Sequence, residues 1–504
     1  MDLVTWVLIA ITFSSVWFLR TRSSRKATNL PPGPAGLPVI GYAWAVFYTF
    51  HILFTDLAKK WGDVFHINIF GQDIIVLNSV DVMREAYASQ AVSEVFSGRP
   101  PPPPSTGFSP DINATTSFLP PSPLWVKQRK LLYKILSMYG DGVQSMENTV
   151  HDELQHVVDW LKNRGGKPVN MDEVFHPSLI NILTILLTGK RHEYGAPILK
   201  NAQVMDDSAA VAASARYAVL FTIFPFLKYI PYGPGRVAIA LRKSTEQFFK
   251  DYYDASKATC DPTVTRGMID YLLHYQEELR DAGDEVWLKD TSIRATIQEV
   301  IGAGSITTLG SLNSFFLIIA KHPDVAKKIQ EEIDAVIGQD RLSSLKDRTN
   351  MPYTMAAIFE LLRYISHVPL GVPRLTTDDV IFRGYLIPAN ITVMTNMWLI
   401  HHDENNWSAP WEFKPERFLD QQGQLVTAES PKRKALMPFG IGRRSCVGET
   451  FARSRIFLYI TTLLQSFNFS PDPNSPLPSC DPRDFKPGLI IKPLPYRLRV
   501  TERK

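Results

Sequence analysis

One cysteine of this sequence lies in a stretch whose residue types could hold a metal-bearing group. The stretch MPFGIGRRSCVGE, residues 437–449, places Cys446 among three glycines and two arginines, directly before an apolar helical pattern. A helix that begins at the sulfur would favour the thiolate, because free backbone N–H groups and the helix dipole stabilise an anion. The thiolate is the form in which cysteine binds metals. The glycines leave room for a flat, bulky group, and the arginines are partners for carboxylates.

Other uses of this cysteine are weaker. The chain has only three cysteines, Cys260, Cys446 and Cys480, so it offers neither a disulfide framework nor a zinc site. A tyrosine-phosphatase loop also places cysteine before a helix, but it needs arginine six residues later, where this chain has Ala452. A buried structural cysteine is the plainer alternative, and it explains neither the glycines nor the arginines. We therefore interpret Cys446 as a metal ligand.

A second candidate set lies on an apolar helical pattern, in the segment FELLRY. Glu360 and Arg363 are three residues apart and share one helix face. A charged side chain is rarely buried in a core unless it is paired. If Glu360 and Arg363 are buried, we therefore expect a third residue to complete their hydrogen bonds. The alternative is a solvated ion pair on an exposed face.

A third candidate set is the glycine-rich helical segment EVIGAGSITTLGS. Gly302, Gly304 and Gly310 would each cost a helix interior about 1 kcal/mol relative to alanine. We predict that they leave room over a bound metal. Thr307 in the same segment can hydrogen-bond a water or a metal-bound oxygen.

Composition and pattern indicate the elements that must position these residues. The 504 residues are 45% hydrophobic and 21% charged, as in an ordered globular protein, and the net charge of +4 gives no general case for nucleic-acid binding. Helical spacing of apolar residues dominates, for example over 323–338 and 351–365. Strand signals occur at VFHINIF and DIIVLNS, in RLTTDDVIFRGYLIP and near IIKPLPYRLRV. The sequence predicts a mainly α fold with a small β portion in one large domain.

The N-terminus predicts a membrane anchor. Residues 3–19 carry no charge, and as a helix they span roughly 25 Å. A cleaved signal peptide, the alternative, would have basic residues before the apolar run, whereas here the basic residues follow it, at positions 20, 22, 25 and 26. The positive-inside bias then leaves the remaining chain in the cytosol. We predict an anchor with a basic stop over residues 1–26, a proline-rich hinge over 27–41 and a catalytic domain over 42–504.

The cysteine stretch resembles the haem-binding signature of the cytochrome P450 family. Phe439, Gly442, Arg444, Cys446 and Gly448 match every fixed position of that signature. The segment EFKPERF, residues 412–418, and the Glu360–Arg363 pair resemble the family's other two fixed motifs, in the same order along nearly the whole chain. Within the family, the sequence most resembles microsomal animal members, the steroid hydroxylases and aryl-hydrocarbon monooxygenases.

The resemblance implies the cytochrome P450 fold, a single large haem domain behind an N-terminal transmembrane helix, and it implies haem b with Cys446 as axial thiolate. It implies a structural network of Glu360, Arg363 and Arg417. The other implied residues are Trp125, Arg129, Arg374 and Arg444 for the haem propionates, and Ala303, Gly304 and Thr307 for catalysis.

One position departs from the family pattern, and it concerns protons. Where the family usually has an acid before the threonine, this chain has Ile306, which cannot relay protons. Glu299 lies two helical turns earlier, roughly 10 Å away, and could help only through water. Slow or leaky monooxygenation is therefore our hypothesis. The alternatives are a haem-thiolate isomerase that rearranges peroxides and a catalytically silent haem sensor.

The resemblance also implies a function and a location. The expected reaction inserts one oxygen atom of O2 into a lipophilic, steroid-like substrate, with electrons from NADPH through a flavoprotein reductase. A small haem protein is a candidate further electron donor. The expected location is the endoplasmic reticulum membrane, single-pass, with the catalytic domain facing the cytosol, in contact with membrane lipid and not with nucleic acid. Residues 219–231 are either a membrane-dipping entrance or a buried core helix. The candidate reductase contacts are Lys127, Lys130, Lys134, Arg433 and Arg443, and the candidate pocket residues are Ala303, Ile306, Leu370 and Val372.

Overall fold

The computed structural model describes residues 29–37, 40–42, 44–45, 48–101, 114–140, 144–212, 214, 217, 220–221, 224–283, 286–488 and 490–503. The predicted anchor, residues 1–26, lies outside the described residues, and so do residues 27–28 and 38–39 of the predicted hinge.

Helices dominate the described part of the chain, as predicted, and the sheets are small. In chain order the helices are α1 (Phe50–Trp61), α2 (Val80–Ala88), α3 (Pro123–Gly140), α4 (Gln144–Lys162), α5 (Asp172–Thr188), α6 (Pro197–Ala212), α7 (Pro234–Phe249), α8 (Ala255–Ala258), α9 (Met268–Asp281), α10 (Asp290–Lys321), α11 (Pro323–Val336), α12 (Pro352–Ile365), α13 (Met397–His402), α14 (Pro431–Ala435) and α15 (Glu449–Ser466). The strands are β1 (Val64–Ile69), β2 (Gln72–Leu77), β3 (Pro168–Val169), β4 (Arg374–Leu375), β5 (Val380–Phe382), β6 (Tyr385–Ile387), β7 (Thr392–Thr395), β8 (Phe467–Pro471) and β9 (Leu498–Glu502).

The described residues group into two compact units, each with many contacts between its own residues. The smaller unit contains the described residues up to Pro100, with Leu370–Ile400 and Ile441–Arg444. The larger unit contains Pro101–Pro369, His401–Gly440 and Ser445–Lys504. The assignment of residues 42–504 to one haem-thiolate domain stays a prediction.

The smaller unit holds a four-stranded sheet in the order β1-β2-β7-β4 and a separate hairpin, β5-β6. The predicted hairpin around Gly71 is confirmed: β1 and β2 pair antiparallel, with Ile69 opposite Gln72. Phe70 and Gly71 both have positive φ, 49° and 79°, as a two-residue turn that matches strand twist requires. Apolar side chains of α1, β1 and β2 form the core of this unit.

The described residues of the proline-rich segment are bonded to the smaller unit. The Leu386 amide donates to the Asn29 carbonyl at 3.0 Å, and the His66 amide donates to the Pro32 carbonyl at 2.9 Å. Gly33 lies so close to β1 that a Cβ would be 1.7 Å from the His66 carbonyl oxygen. These contacts hold the segment between the predicted anchor and the body against β1 and the β5-β6 hairpin.

The larger unit is mostly helical, with a three-stranded sheet in the order β3-β9-β8. Helices α11 and α12 each begin with proline, Pro323 and Pro352. Proline is tolerated there because the first N–H groups of a helix have no acceptor within the helix, so the N–H that proline lacks is not missed. The central helix is α10. It is the one described helix long and apolar enough to cross a membrane, but 78% of its most apolar window is buried inside the protein, so it is a core helix of this unit.

Candidate functional site

The cysteine loop ends where a helix begins, as the sequence predicts. Helix α15 starts at Glu449, with Gly448 as its N-cap residue. The Cys446 amide donates to the Phe439 carbonyl at 2.9 Å, which closes the loop. The Cys446 side chain is exposed, so the sulfur is open to a bound group.

The expected ionisation of the thiol is wrong in direction. Burial by surrounding protein raises the pKa of the Cys446 thiol and outweighs both the Gly448 amide, which donates to the sulfur, and the positive charge of Arg129. A coordinated metal deprotonates a thiol outright, so ionisation at this site requires the metal as well as the helix start.

The predicted aromatic–arginine pair lies beside this loop. Trp125 is buried on α3, and the Arg129 guanidinium lies 5.7 Å from its ring centroid. Arg129 Nη2 donates to the Ser445 carbonyl at 2.6 Å. The larger unit therefore brings Trp125, Arg129 and Cys446 together.

The predicted three-residue network is present, and it is buried. Glu360 accepts two bonds from Arg363, Nε to Oε2 at 2.8 Å and Nη2 to Oε1 at 2.7 Å. Arg417 Nε donates to the same Oε1 at 3.0 Å. Arg417 Nη2 also donates to the backbone carbonyls of Ala409 and Glu412. The network therefore fixes the chain segment 408–417 against α12.

A residue that no sequence pattern indicates, His401, extends this network to the cysteine loop. His401 is buried, and its carbonyl accepts from Arg363 Nη1 at 2.8 Å. Its Nε2 accepts from the Met437 amide at 3.2 Å, and its Nδ1 is 3.0 Å from Ser366 Oγ. Burial lowers the pKa of His401 well below its ordinary value, so the ring stays neutral. No local pattern in the sequence indicates this contact.

Two further predicted arginines lie in the smaller unit, and both are buried. Arg374, on β4, donates from Nη2 to the Ile441 carbonyl at 3.0 Å, and its guanidinium lies 3.5 Å from the Tyr87 ring centroid. Arg444 donates from Nε to the Ser97 carbonyl at 2.8 Å. Tyr87 and Ser97 were also missed, because their sequence positions give no signal of these distant partners.

The signature glycines differ in what surrounds them. Gly442 has φ +72°, and a Cβ there would be 1.9 Å from the Tyr87 carbonyl oxygen. Gly440 has φ +69° with nothing within 4 Å of a Cβ, and Gly448 has equally open space. Gly442 therefore serves close backbone packing, whereas Gly440 serves a left-handed turn.

Helix α10 is accessible in the glycine-rich segment that is predicted to leave room over a bound metal. Between residues 292 and 320, Ala303 is the one exposed residue, while its neighbours Gly302, Gly304, Ile306 and Thr307 are partly buried. Thr307 Oγ1 donates to the Ala303 carbonyl at 2.7 Å. The middle of a buried helix thus borders open space at Ala303.

The expectation that all three α10 glycines leave room over a metal is wrong for Gly310. A Cβ at Gly310 would be 2.1 Å from Cε1 of His367, which is buried. At Gly304 a Cβ would be 3.1 Å from the Leu183 side chain on α5. Close side-chain packing explains Gly310, and Gly304 also lies against a neighbouring helix.

The donor set fits a metal group that brings most of its own ligands. Among the described residues, no three His, Cys, Asp or Glu side chains lie together as a metal site would require. Haem needs a single protein ligand on this side of the iron, because the porphyrin supplies four nitrogens. The accessible Cys446 meets that requirement.

Comparisons with known proteins agree with the signature. The family model described as Cytochrome P450 matches residues 31–500. Cytochrome P450 2U1 of Bos taurus is 31% identical, over 99% of this chain and 93% of its own length. Cytochrome P450 2D9 of Mus musculus is 31% identical over 100% and 98%, and cytochrome P450 2D6 of Homo sapiens is 32% identical over 99% and 99%. The chain belongs to the cytochrome P450 family.

Proposed function

We propose that this protein is a membrane-anchored haem-thiolate monooxygenase that inserts one oxygen atom of O2 into a lipophilic substrate. The observation that carries the proposal is the accessible Cys446 at the start of α15, in a chain of the cytochrome P450 family. When bound, the haem supplies dioxygen binding and O–O cleavage, which a thiolate ligand favours. The two alternatives, a peroxide isomerase and a silent sensor, are not favoured by the relatives, which are cytochromes P450.

The haem-binding roles follow from the residues around the sulfur. Cys446 is the metal ligand, and Phe439, Gly442 and Gly448 shape the loop that presents it. Trp125 and Arg129 hold a propionate, because the Arg129 guanidinium lies beside both Trp125 and the loop. Arg374 and Arg444 keep the propionate role that the resemblance implies. The Glu360, Arg363 and Arg417 network holds the segment before the loop.

The catalytic roles belong to the accessible part of α10. Ala303 leaves space beside the helix, and the Thr307 hydroxyl accepts and passes on hydrogen bonds there. Gly304 packs against Leu183 and keeps the catalytic role that the resemblance implies. Ile306 together with Ala303 makes this face apolar, which suits a lipophilic substrate. Leu370 packs against the apolar core of the smaller unit and Val372 is half exposed; their place in a substrate pocket stays a proposal. A steroid-like substrate likewise rests on the resemblance alone.

The reductase-docking surface is proposed on α3. Lys127, Lys130 and Lys134 are exposed there, and their spacing puts them on one helix face. Such a basic face attracts an acidic protein. Arg433 has a different use, because its guanidinium packs over the Phe359 ring at 4.2 Å. Arg443 is exposed and pairs with Glu94 at 3.2 Å.

The membrane assignment has support beyond the N-terminal segment. The turn Pro225–Tyr229 contains no buried residue, so the alternative of a buried core helix is wrong for this part of residues 219–231. Phe224, Phe226, Tyr229 and Tyr232 are exposed together, as at membrane interaction sites. We propose a single-pass anchor over residues 1–26 in the endoplasmic reticulum, with the body in the cytosol. A glycan on Asn113, Asn390, Asn406 or Asn468 in the cellular protein would contradict this orientation.

The central test is spectroscopic. The reduced protein should show the carbon-monoxide difference spectrum of a thiolate-ligated haem, and Cys446→Ser should lose it. With an NADPH-dependent flavoprotein reductase in phosphatidylcholine vesicles, the wild type should consume NADPH and O2. Rearrangement of a fatty-acid hydroperoxide without any NADPH consumption, with no NADPH-dependent turnover of progesterone as probe substrate, would contradict monooxygenation and favour the isomerase.

A further inference from the structure

The missing acid at position 306 leaves the source of protons open, and the structure contains two buried acids around this part of α10. Glu299 lies on α10 itself. Asp206 lies on α6 and accepts a hydrogen bond from Ser305 Oγ. Both carboxyl groups are buried, so either could hold a proton near neutral pH.

The two acids lie on different faces of the helix. Residues 299, 303, 306 and 307 recur at spacings of three and four, which places them on one face. This is the face that borders open space at Ala303. Asp206 instead contacts the helix at Gly302 and Ser305, and Ser305 is two residues from Thr307, a spacing at which side chains do not face each other.

Glu299 and Thr307 are eight positions apart on this face, roughly 12 Å along the helix axis, and Ala303 and Ile306 lie between them. Ala303 carries only a methyl group and is exposed, so water molecules fit beside it. Ile306 is partly buried and offers no hydrogen-bonding group, so the water would follow the Ala303 side of this face.

We propose that Glu299 is the proton donor that replaces the acid missing at position 306, acting through water beside Ala303 and the hydroxyl of Thr307. This inference rests on the proposed monooxygenase function. The Glu299 O–H gives its proton to the nearest water, which passes one on to Thr307 Oγ1. The Thr307 O–H turns away from the Ala303 carbonyl, to which it donates at 2.7 Å, and releases one proton toward the substrate side. Thr307 gains no net charge, and the Glu299 carboxylate regains a proton from bulk water.

The surroundings of Glu299 keep a proton available. Burial raises the pKa of this carboxyl to about 7, against hydrogen bonds from Ser117 and Thr116 that lower it. The Ser117 amide donates to Oε1 at 3.1 Å. No charged side chain within the described part of the chain contributes to this shift. Burial also raises the pKa of the second acid, Asp206, to about 7. His176 and Lys492 lower that pKa, and Asp207 raises it.

The test compares Glu299→Gln with Asp206→Asn in the full-length haem-loaded protein with reductase, in phosphatidylcholine vesicles. Glutamine keeps the size of the side chain and its bond to the Ser117 amide. Glu299→Gln should slow NADPH consumption by about tenfold or more, toward the range that general acids contribute. The wild-type rate should fall as pH rises through about 7, and this dependence should be absent in Glu299→Gln, present in Asp206→Asn and partly restored in Glu299→Asp.

An infrared measurement on the resting protein provides a readout independent of turnover. The wild type should show C=O bands of protonated, buried carboxyl groups, of which Glu299→Gln removes one and Asp206→Asn another. An unchanged rate and pH profile in Glu299→Gln, or their loss in Asp206→Asn, would overturn the inference and leave the monooxygenase proposal standing. A wild type that consumes no NADPH with reductase would overturn the proposed function, and this inference with it.

Discussion

Arg417 donates from Nε to Oε1 of Glu360 at 3.0 Å, across a sequence separation of 57 residues. The same carboxylate oxygen accepts from Arg363 and from the Lys414 amide. One buried anion thus joins α12 to the segment that precedes the cysteine loop.

Replacement of Glu360 should destabilise the protein and release haem together. Glu360→Ala would leave two buried guanidinium groups without their carboxylate, and loss of one member of a buried ionic set costs about 3–5 kcal/mol. The free energy of unfolding in urea and the haem content per chain both measure this effect.

A matched control is available on the surface. Glu277 pairs with Arg280, and both side chains are more than half exposed. Glu277→Gln should leave the urea midpoint and the haem content unchanged, because exposed ion pairs contribute little. If Glu360→Ala is as stable as the wild type, the network does not contribute to the stability of the fold.

Local features of the site could be predicted from the sequence, and distant ones could not. The helix start after Cys446 follows from glycine next to an apolar periodic run, and the Glu360–Arg363 pair follows from a spacing of three. Arg417 came from the resemblance alone. The contacts of Tyr87 with Arg374, and of His401 with Met437, join distant segments and leave no periodic trace. The thiol pKa was expected in the wrong direction, because burial is a property of the assembled fold.

The two left-handed glycines of the cysteine loop should respond differently to alanine. Gly440→Ala should cost about 1–2 kcal/mol of stability, which is the strain of an L residue in this conformation. No steric cost is added, because no heavy atom lies within 4 Å of the new Cβ. Gly442→Ala carries the same strain and adds a contact at 1.9 Å with the Tyr87 carbonyl oxygen, so it should cost about 1–3 kcal/mol more. Urea unfolding and the carbon-monoxide spectrum distinguish the two. Equal losses in both variants would show that backbone strain alone decides.

Two glycines of α10 should respond to alanine with opposite signs. Gly310→Ala places a methyl 2.1 Å from the buried His367 ring, and the overpacking of about 1–3 kcal/mol exceeds the gain in helix propensity. Gly302→Ala meets its nearest atom, Asp206 Oδ1, at 3.8 Å, so it should stabilise the helix by up to about 1 kcal/mol. Urea midpoints measure both signs. Stabilisation by Gly310→Ala would mean that His367 moves aside without cost.

The buried Glu299 carboxyl should make stability fall as pH rises. Burial raises its pKa from 4.5 to about 7, so the folded protein binds this proton more tightly than the unfolded chain does. The stabilisation is full below pH 4.5 and is lost as the pH rises from there to about 7. The free energy of unfolding of the wild type, minus that of Glu299→Gln, should therefore drop by roughly 2–3 kcal/mol between about pH 5 and 8. The subtraction isolates Glu299, because Asp206, whose pKa is also raised, and His51 and His367, whose pKa values are lowered to about 4, are present in both proteins. A difference that stays constant across this range would mean that the Glu299 carboxyl is already ionised in the folded protein.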